Sequence, residues 1–195
     1  YEQQRIAALT RLAEGECRCI IAAADAAAQY TMPPAALMCR TLHLRRGAPL
    51  PVADLPAALV AAGYERCEQI EGPGQFAVRG GITDIYPAAC KAPLRLELWG
   101  SEIDTLTYFD LLSQRRTDAV DEIDIPPAAE ILCGDPAALA EKIRALAAGL
   151  RGKSAAARAA LEADADRLCA GLALGAPDKY LPLLCERPAT LFDYA

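Results

Sequence analysis

The chain has 195 residues, enough for one large domain or two small ones, and its hydrophobic content of 53% excludes global disorder. The formal charge of −6 and the pI of about 4.9 argue against a free-standing DNA-binding domain, which normally presents a basic face to phosphates. No signal peptide and no uncharged apolar run of 18 or more residues is present, so we expect a cytoplasmic protein without membrane spans.

The first part of the chain predicts a helix followed by a strand. Residues 2–14 carry apolar side chains along one helical stripe, and Gly15 is a candidate C-cap. The apolar run at residues 17–23 predicts a short buried strand. Because Tyr1 is not a natural start and the helix begins at once, we expect this chain to be a piece of a longer protein.

A second helix is expected after the strand, with Asp25 as its cap and with Pro33 and Pro34 stopping it. Helix, buried strand and helix form an α/β pattern. Only one such strand is clear, which indicates the remnant of a larger parallel sheet whose other strands lie outside these residues.

The middle of the chain predicts an antiparallel sheet. Residues 41–46 alternate like a strand, and residues 51–63 predict a helix with Asp54 as cap and Gly63 at its end. After Tyr64 the hydrophobic period changes to two. Six strand candidates, separated by glycine- and proline-containing turns, follow at residues 66–71, 75–79, 82–86, 94–99, 102–109 and 121–125. Since leucines at 94, 96 and 98 alternate with Arg95, Glu97 and Trp99, we expect one face of the sheet to be solvated.

The last third predicts two helices and an irregular tail. Pro126-Pro127 marks a boundary, and Asp135 and Pro136 are the cap and first turn of a helix that runs to about Leu150. An alanine-rich helix is expected over residues 154–173. The tail, residues 176–195, contains three prolines and predicts one short helix near residues 178–183.

Gly152-Lys153-Ser154 resembles the end of a phosphate-binding loop. The first glycine of such a loop would stand at position 147, which is alanine, and a helix instead of a strand precedes the motif. We therefore expect a loop between two helices and no nucleotide site.

The remaining reactive residue types indicate no catalytic or metal site. The eight cysteines contain no C-x-x-C pair, and we expect reduced, mostly buried thiols, as in a cytosolic protein. His43, the single histidine, has no ligand partner nearby in sequence. The carboxylates at Glu102/Asp104 and at Asp121/Glu122/Asp124 are expected to be solvated strand ends, so we do not expect these residues to form an enzyme.

Residues 63–129 carry the most specific motifs, which are GYER, GPGQFAVRGGITDIYP and LRLELWGSEIDTLTYFD. They closely resemble the segment shared by UvrB and the bacterial transcription-repair coupling factors. Residues 2–34 and the motif PATLFDY at 188–194 resemble the flanking segments of the same family. The motif FDLLSQR favours the coupling factors, which have Ser-Gln-Arg where UvrB has Thr-Gly; Arg116 departs from their usual serine.

The resemblance implies an α/β fold. Residues 1–34 would belong to a partial, degenerate RecA-like (UvrB-type) ATPase lobe, called domain 1a. Residues 35–129 would form an inserted α+β domain, built on an antiparallel sheet, that binds UvrA. Residues 130–195 would be the helical part of domain 1b.

The resemblance also implies that the full-length protein is an ATP-dependent DNA translocase that removes stalled RNA polymerase and recruits UvrA. RNA polymerase, double-stranded DNA, ATP and Mg would be bound by domains outside this chain, so we expect no cofactor here. Another domain of the same protein is expected to mask the UvrA-binding surface at rest.

By matching motif positions, the resemblance assigns UvrA-contacting roles to Arg66 in GYER and Arg79 in AVRGG. Tyr86, which replaces the aromatic of the family motif D-I-F-P, and Phe76 are expected to add apolar contact. Ala77 stands where UvrB has a further arginine, so one contact is missing and the affinity is expected to be lower.

The residues themselves leave two interpretations of these arginines open. On two antiparallel strands joined by the GPG turn, Arg66 and Arg79 would lie side by side on one exposed face, where a guanidinium binds a partner carboxylate bidentately. Gly80-Gly81 would form a bulge or a close backbone approach that tilts Arg79 outward. The alternative is ion pairing inside the sheet, with Glu65, Glu68 or Asp84.

An alternative function is a UvrB-like DNA-damage-handling module that contacts DNA. It would need a basic stripe with interleaved aromatic residues and the tyrosine-rich hairpin of UvrB. The sequence contains neither feature.

Overall fold

The structure is a computed structural model that describes residues 2–50, 54–132, 134–150, 154–172 and 174–194. The helices are α1 (Glu2–Ala13), α2 (Ala24–Ala28), α3 (Pro34–Cys39), α4 (Asp54–Ala61), α5 (Pro136–Gly149), α6 (Ala155–Cys169) and α7 (Leu181–Leu184). The strands are β1 (Leu42–Arg45), β2 (Glu65–Arg66), β3 (Gln75–Arg79), β4 (Ile82–Ile85), β5 (Leu94–Trp99), β6 (Glu102–Phe109), β7 (Arg116–Ala119) and β8 (Glu122–Ile125).

A six-stranded sheet in the order β2-β3-β4-β5-β6-β7 forms the centre of the protein. Strands β3 to β6 are antiparallel and agree with the prediction to within one residue. Gly80 and Gly81 form the tight turn between β3 and β4, with φ of +62° at Gly80, so no bulge forms there. The alternative, a close backbone approach, is confirmed, because a Cβ at Gly81 would lie 3.4 Å from the carbonyl oxygen of Leu98. The register shifts instead between Glu97 and Leu98.

One face of this sheet carries the main core. It packs against α4 through Leu55 and Leu59, and against the two-stranded sheet of β1 and β8 through Leu44 and Ile125. Fully burying each such side chain contributes about 1.5–3 kcal/mol. The residues that the sheet and its edge add to this core are Tyr64, Phe76, Ile85, Leu94, Leu96, Ile103 and Leu106.

The opposite face is less exposed than predicted. Ile70, Ala77 and Phe109 are buried on it, and Cys67, Tyr86 and Leu111 pack against them. The chain segments that precede β3 and follow β6 therefore cover part of this face. The face that was expected to be solvated is therefore solvated only in part, because these segments cover it and the Asp84 and Arg95 side chains neutralise each other on it.

Two strand predictions need correction, and one strand was not predicted. The strand expected at residues 66–71 is reduced to β2, which has two residues and runs parallel to β3. The strand expected at residues 121–125 forms as β8, but it pairs with β1 in the separate sheet. Strand β7 was not predicted, since all four of its residues are exposed and its sequence RTDA has no apolar alternation.

The amino-terminal part differs most from the prediction. Helix α1 is confirmed, and Gly15 adopts a left-handed φ of +72° after it. Residues 17–23, predicted as a buried strand, pair with no strand among the described residues, and Ile21 is 96% exposed. Without a neighbouring strand, an apolar sequence cannot form a ladder or bury its side chains. The RecA-like lobe therefore stays a prediction.

The next two helices also begin differently. The N-cap of α2 is Ala23, so Asp25 lies inside the helix and does not cap it. Helix α2 ends at Ala28, before the prolines. Pro33 and Pro34 are instead the cap and first residue of α3, because a proline at the first helical position loses no helical hydrogen bond.

Both ends of the chain meet in one cluster. Thr31 and Ala189 exchange two backbone hydrogen bonds of 2.8 and 3.0 Å, and Leu9, Leu37 and Tyr194 lie in the same apolar cluster. The sheet therefore lies between two chain segments that pack together, which agrees with the predicted α/β class with an inserted sheet. The predicted boundaries at residues 34 and 129 stay predictions.

The helical carboxyl-terminal part is largely as predicted. The Asp135 carboxylate accepts a hydrogen bond of 2.9 Å from the Ala137 amide, and Pro136 occupies the first turn of α5. Helix α6 packs on α5, and α7 is the short helix predicted in the tail. Gly152 and Lys153 lie outside the described residues, as do residues 51–53.

Candidate docking edge of the sheet

Arg79 ends strand β3 and is exposed. Its Nη2 donates a hydrogen bond of 2.9 Å to the carbonyl of Glu68, which fixes the guanidinium over the segment before β3. Among the described residues, no carboxylate lies within ion-pair distance of it. The interpretation that Arg79 is neutralised inside the sheet is therefore not supported.

Arg66 is also exposed, on the outer strand β2, and makes no hydrogen bond or ion pair within the described part of the chain. It is the register partner of Phe76 in a parallel pair. Register partners share a face, so Arg66 lies on the same face as Phe76, which packs in the core with α4. Successive residues of a strand point to opposite faces, so Arg79 lies on the other face, together with Ala77. The predicted placement of both arginines side by side on antiparallel strands is wrong.

The two arginines instead flank one edge of the sheet, which we call the docking edge and define as β2 with its neighbour β3. The edge is open because β2 is an outer strand with no further neighbour among the described residues. A partner that covers this edge can reach Arg66 from one side and Arg79 from the other.

Tyr86 lies on the same face as Arg79 but at the other end of β3. Its backbone amide donates to the carbonyl of Gln75, four residues before Arg79 and hence about 13 Å along the strand. Its side chain is half-buried, and its hydroxyl donates to the carbonyl of Lys91 over 3.3 Å. Tyr86 can supply the rim of a contact surface.

Phe76 is not an exposed contact residue. Its side chain is 0% exposed and lies in the main core with Ile85 and Leu94. The prediction that it contacts a partner as an exposed side chain is therefore wrong, because Phe76 occupies the inward position of β3. From this position it lines an apolar groove beside α4.

A buried ion pair lies between the two central strands. Arg95 donates from Nε and Nη2 to the two carboxylate oxygens of Asp84, at 2.7 and 2.8 Å. It also donates to the amide oxygen of Gln114 at 3.2 Å and lies 4.4 Å from the ring centroid of Phe109. The Asp84 carboxylate raises the pKa of Arg95.

Sequence reasoning missed this pair, although Asp84 and Arg95 lie at the middle of consecutive predicted strands. The pair holds the segment after β6 in place, because Arg95 donates to the side chain of Gln114 in that segment. Gln114 has a left-handed φ of +60°, and its side chain also donates to the carbonyl of Leu111. The network therefore stabilises the sheet face on which Arg79 and Tyr86 lie.

An apolar groove of about 780 Å³ borders the docking edge on the Arg66 side. One wall is the exposed side of α4, with Pro56, Ala57 and Val60. The other wall is formed by Ala129, Ile131, Leu132, Gly134 and Pro136. Arg66 is the only charged residue among the described residues that line this groove.

The remaining candidates carry no site chemistry. No group of three or more metal-ligating side chains occurs within the described ranges. Of the seven cysteines that the structure describes, Cys19, Cys39 and Cys169 are exposed and the others are half-buried, so the prediction of mostly buried thiols is wrong; Cys133 lies outside these residues. His43 contacts Asp124 at 2.6 Å on the surface. No helix in the described part is long and apolar enough to span a bilayer.

Comparison with known proteins identifies the class of this fold. Residues 42–131, which contain the six-stranded sheet and α4, match the family model of the UvrB interaction domain. The chain thus carries a UvrB interaction domain.

Curated relatives identify the family. The transcription-repair-coupling factor of Bacillus subtilis (strain 168) is 33% identical over 98% of this chain. Those of Haemophilus influenzae and Mycobacterium tuberculosis are 31% and 34% identical over 85% and 78% of it. The chain belongs to the transcription-repair coupling factor family. It spans 17%, 14% and 12% of the lengths of these three relatives.

Proposed function

We propose that this chain is the UvrA-docking part of a transcription-repair coupling factor, acting in transcription-coupled nucleotide excision repair. The observation that carries the proposal is the docking edge, where Arg66 and Arg79 are exposed without a carboxylate partner in the described residues. In the same sheet, Arg95 is neutralised by Asp84. Two unneutralised guanidinium groups at an open sheet edge suit an acidic protein surface.

The two arginines bind carboxylates of UvrA from opposite sides of the edge. A guanidinium presents a planar fork of donors that matches a carboxylate bidentately. Because the carbonyl of Glu68 already holds Arg79, less side-chain freedom is lost when this residue binds. Arg66 has no such restraint and orders on binding. Tyr86 adds a smaller contact at the rim.

This part of the protein does not catalyse a reaction in the proposal. ATP, Mg, RNA polymerase and double-stranded DNA are bound by the rest of a longer translocase in the cytoplasm, of which this chain corresponds to a minor part. In the longer protein, another domain covers the docking edge at rest and releases it when UvrA is to be recruited.

Titration of purified UvrA against charge reversals of the two arginines tests the proposal. Arg66→Glu and Arg79→Glu are each expected to weaken binding about tenfold or more, since a carboxylate then faces a carboxylate. The matched control is Arg45→Glu, which reverses an exposed arginine of β1 away from the docking edge.

Circular dichroism confirms that each variant is folded, and duplex DNA replaces UvrA as a control ligand. If the wild type does not bind UvrA, or if both charge reversals bind UvrA as tightly as the wild type does, the proposed function of the docking edge is wrong.

A further inference from the structure

The groove beside Arg66 has features that the docking of two charges does not explain. Val60 is 57% exposed at its wall, although the neighbouring Leu55 and Leu59 of the same helix are buried in the main core. Helix α4 is therefore apolar on both its inner and outer sides. An exposed valine alone needs no explanation, but here it lines a concave surface with Pro56, Ala57, Ile131 and Leu132.

The groove has the size and composition of a binding site. Its volume of about 780 Å³ is within the range of sites that enclose a small molecule or a few side chains. Such sites combine apolar walls with a small number of polar groups that fix orientation. Among the described lining residues, the guanidinium of Arg66 is the one charged group, and it makes no hydrogen bond or ion pair to any other described residue.

We propose that this groove is a second subsite of the docking edge, which takes an apolar side chain of UvrA that lies next to the carboxylate bound by Arg66. The inference rests on the proposed docking function and names the chemistry of the bound segment. Charge complementarity selects this occupant. The exposed guanidinium of Arg66 pairs with a carboxylate, whereas the apolar walls of the groove disfavour charged side chains.

Continuity with the docking edge supports the same occupant. Arg66 belongs both to β2 and to the lining of the groove, so a segment bound to Arg66 on the α4 side lies next to the walls that Val60 and Ile131 form. Interface hot spots lie in well-packed, desolvated pockets near the interface centre, and the apolar walls of the groove would exclude water from the contact of Arg66. The groove would therefore give the Arg66 side of the edge an apolar anchor that the Arg79 side lacks.

The test uses purified UvrA as the probe and places a charge in the groove. Val60→Glu is expected to weaken binding about tenfold or more, because it removes apolar contact and repels the acidic segment. Leu146→Glu is the matched control, since Leu146 is an exposed apolar residue on helix α5 outside the groove. It is expected to bind UvrA as the wild type does.

A milder variant protects the test against misfolding. Val60→Ser removes the apolar side chain without adding charge and is expected to weaken binding about threefold to fivefold. Thermal unfolding of each variant is measured in parallel. If both Val60 variants remain folded and bind as tightly as the wild type, the inference is wrong.

Double substitutions show whether Arg66 and Val60 contact the same segment of UvrA. Arg66→Ala and Val60→Ser are expected to be non-additive in binding, because residues that share a partner segment are energetically coupled. Arg79→Ala and Val60→Ser are expected to be additive, since they lie on opposite faces of the sheet. Additivity in both pairs would contradict a shared subsite.

Failure of this inference can be distinguished from failure of the proposed function. If Arg79→Glu weakens UvrA binding but both Val60 variants do not, docking stands and the groove has no part in it. If Val60→Glu changes the molar mass of the protein in solution but not its affinity for UvrA, a second copy of the chain occupies the groove, and the proposal is overturned.

Discussion

The arginines of one sheet have opposite environments. Arg95 is 15% exposed, and its guanidinium binds a carboxylate, a side-chain amide and an aromatic ring. Arg79, at the end of the second strand in the sheet, has a single backbone acceptor, and Arg66 at the edge has none among the described residues. Where the sheet supplies its own carboxylate, an arginine stabilises the fold. Where it does not, the arginine stays exposed, as the proposed docking requires.

The largest effect is expected from breaking the buried pair. Arg95→Ala leaves the Asp84 carboxylate buried without a counter-charge, and removing one partner of a buried ion pair costs about 3–5 kcal/mol. Denaturant unfolding of the variant measures this loss. The same substitution at the exposed Arg79 should change the free energy of unfolding by only about 0.5 kcal/mol.

Replacing both partners of the pair separates charge from packing. In the double variant Asp84→Leu/Arg95→Met, no charge is left unpaired, and most of the stability lost in Arg95→Ala should return. If the double variant is as unstable as Arg95→Ala, the contact of Arg95 with Phe109 matters more than neutralisation of Asp84, and the contrast between the arginines weakens.

A smaller effect on stability is expected at Phe76, which sequence reasoning placed on the binding surface. Phe76→Leu should cost about 1–1.5 kcal/mol of unfolding free energy. It should not weaken binding of UvrA, because the groove that this residue lines stays apolar. Thermal unfolding and UvrA titration measure the two quantities. A weaker affinity in a folded variant would return Phe76 to the docking surface.

Much of the sheet could be predicted because its local sequence agrees with its tertiary environment. Leu94 and Leu96 alternate with polar residues and are buried, and Gly80-Gly81 lies at a tight turn. The cap at Asp135 with Pro136 after it determines where α5 begins. These features depend on residues close in sequence, where propensity and periodicity operate.

The features that sequence reasoning missed depend on which strands are neighbours. Strand β2 is two residues long and parallel, so no period reveals that Arg66 and Arg79 lie on opposite faces. The apolar residues 17–23 resemble a strand in sequence but have no partner among the described residues. Asp84 and Arg95 look like solvated positions until their register brings them together.

The smallest effect is expected at Tyr86, which tests how far the docking surface extends on the Arg79 face. Tyr86→Ala should weaken UvrA binding about threefold, because rim contacts contribute little compared with central charges. Tyr86→Phe should bind as the wild type does, since the hydroxyl already donates its proton to the carbonyl of Lys91 and the expected contact is made by the ring. Calorimetric titration of the two variants measures the difference. A loss in Tyr86→Ala as large as in Arg79→Glu would mean that the Arg79 face also has an apolar anchor, and the two sides of the docking edge would then be alike.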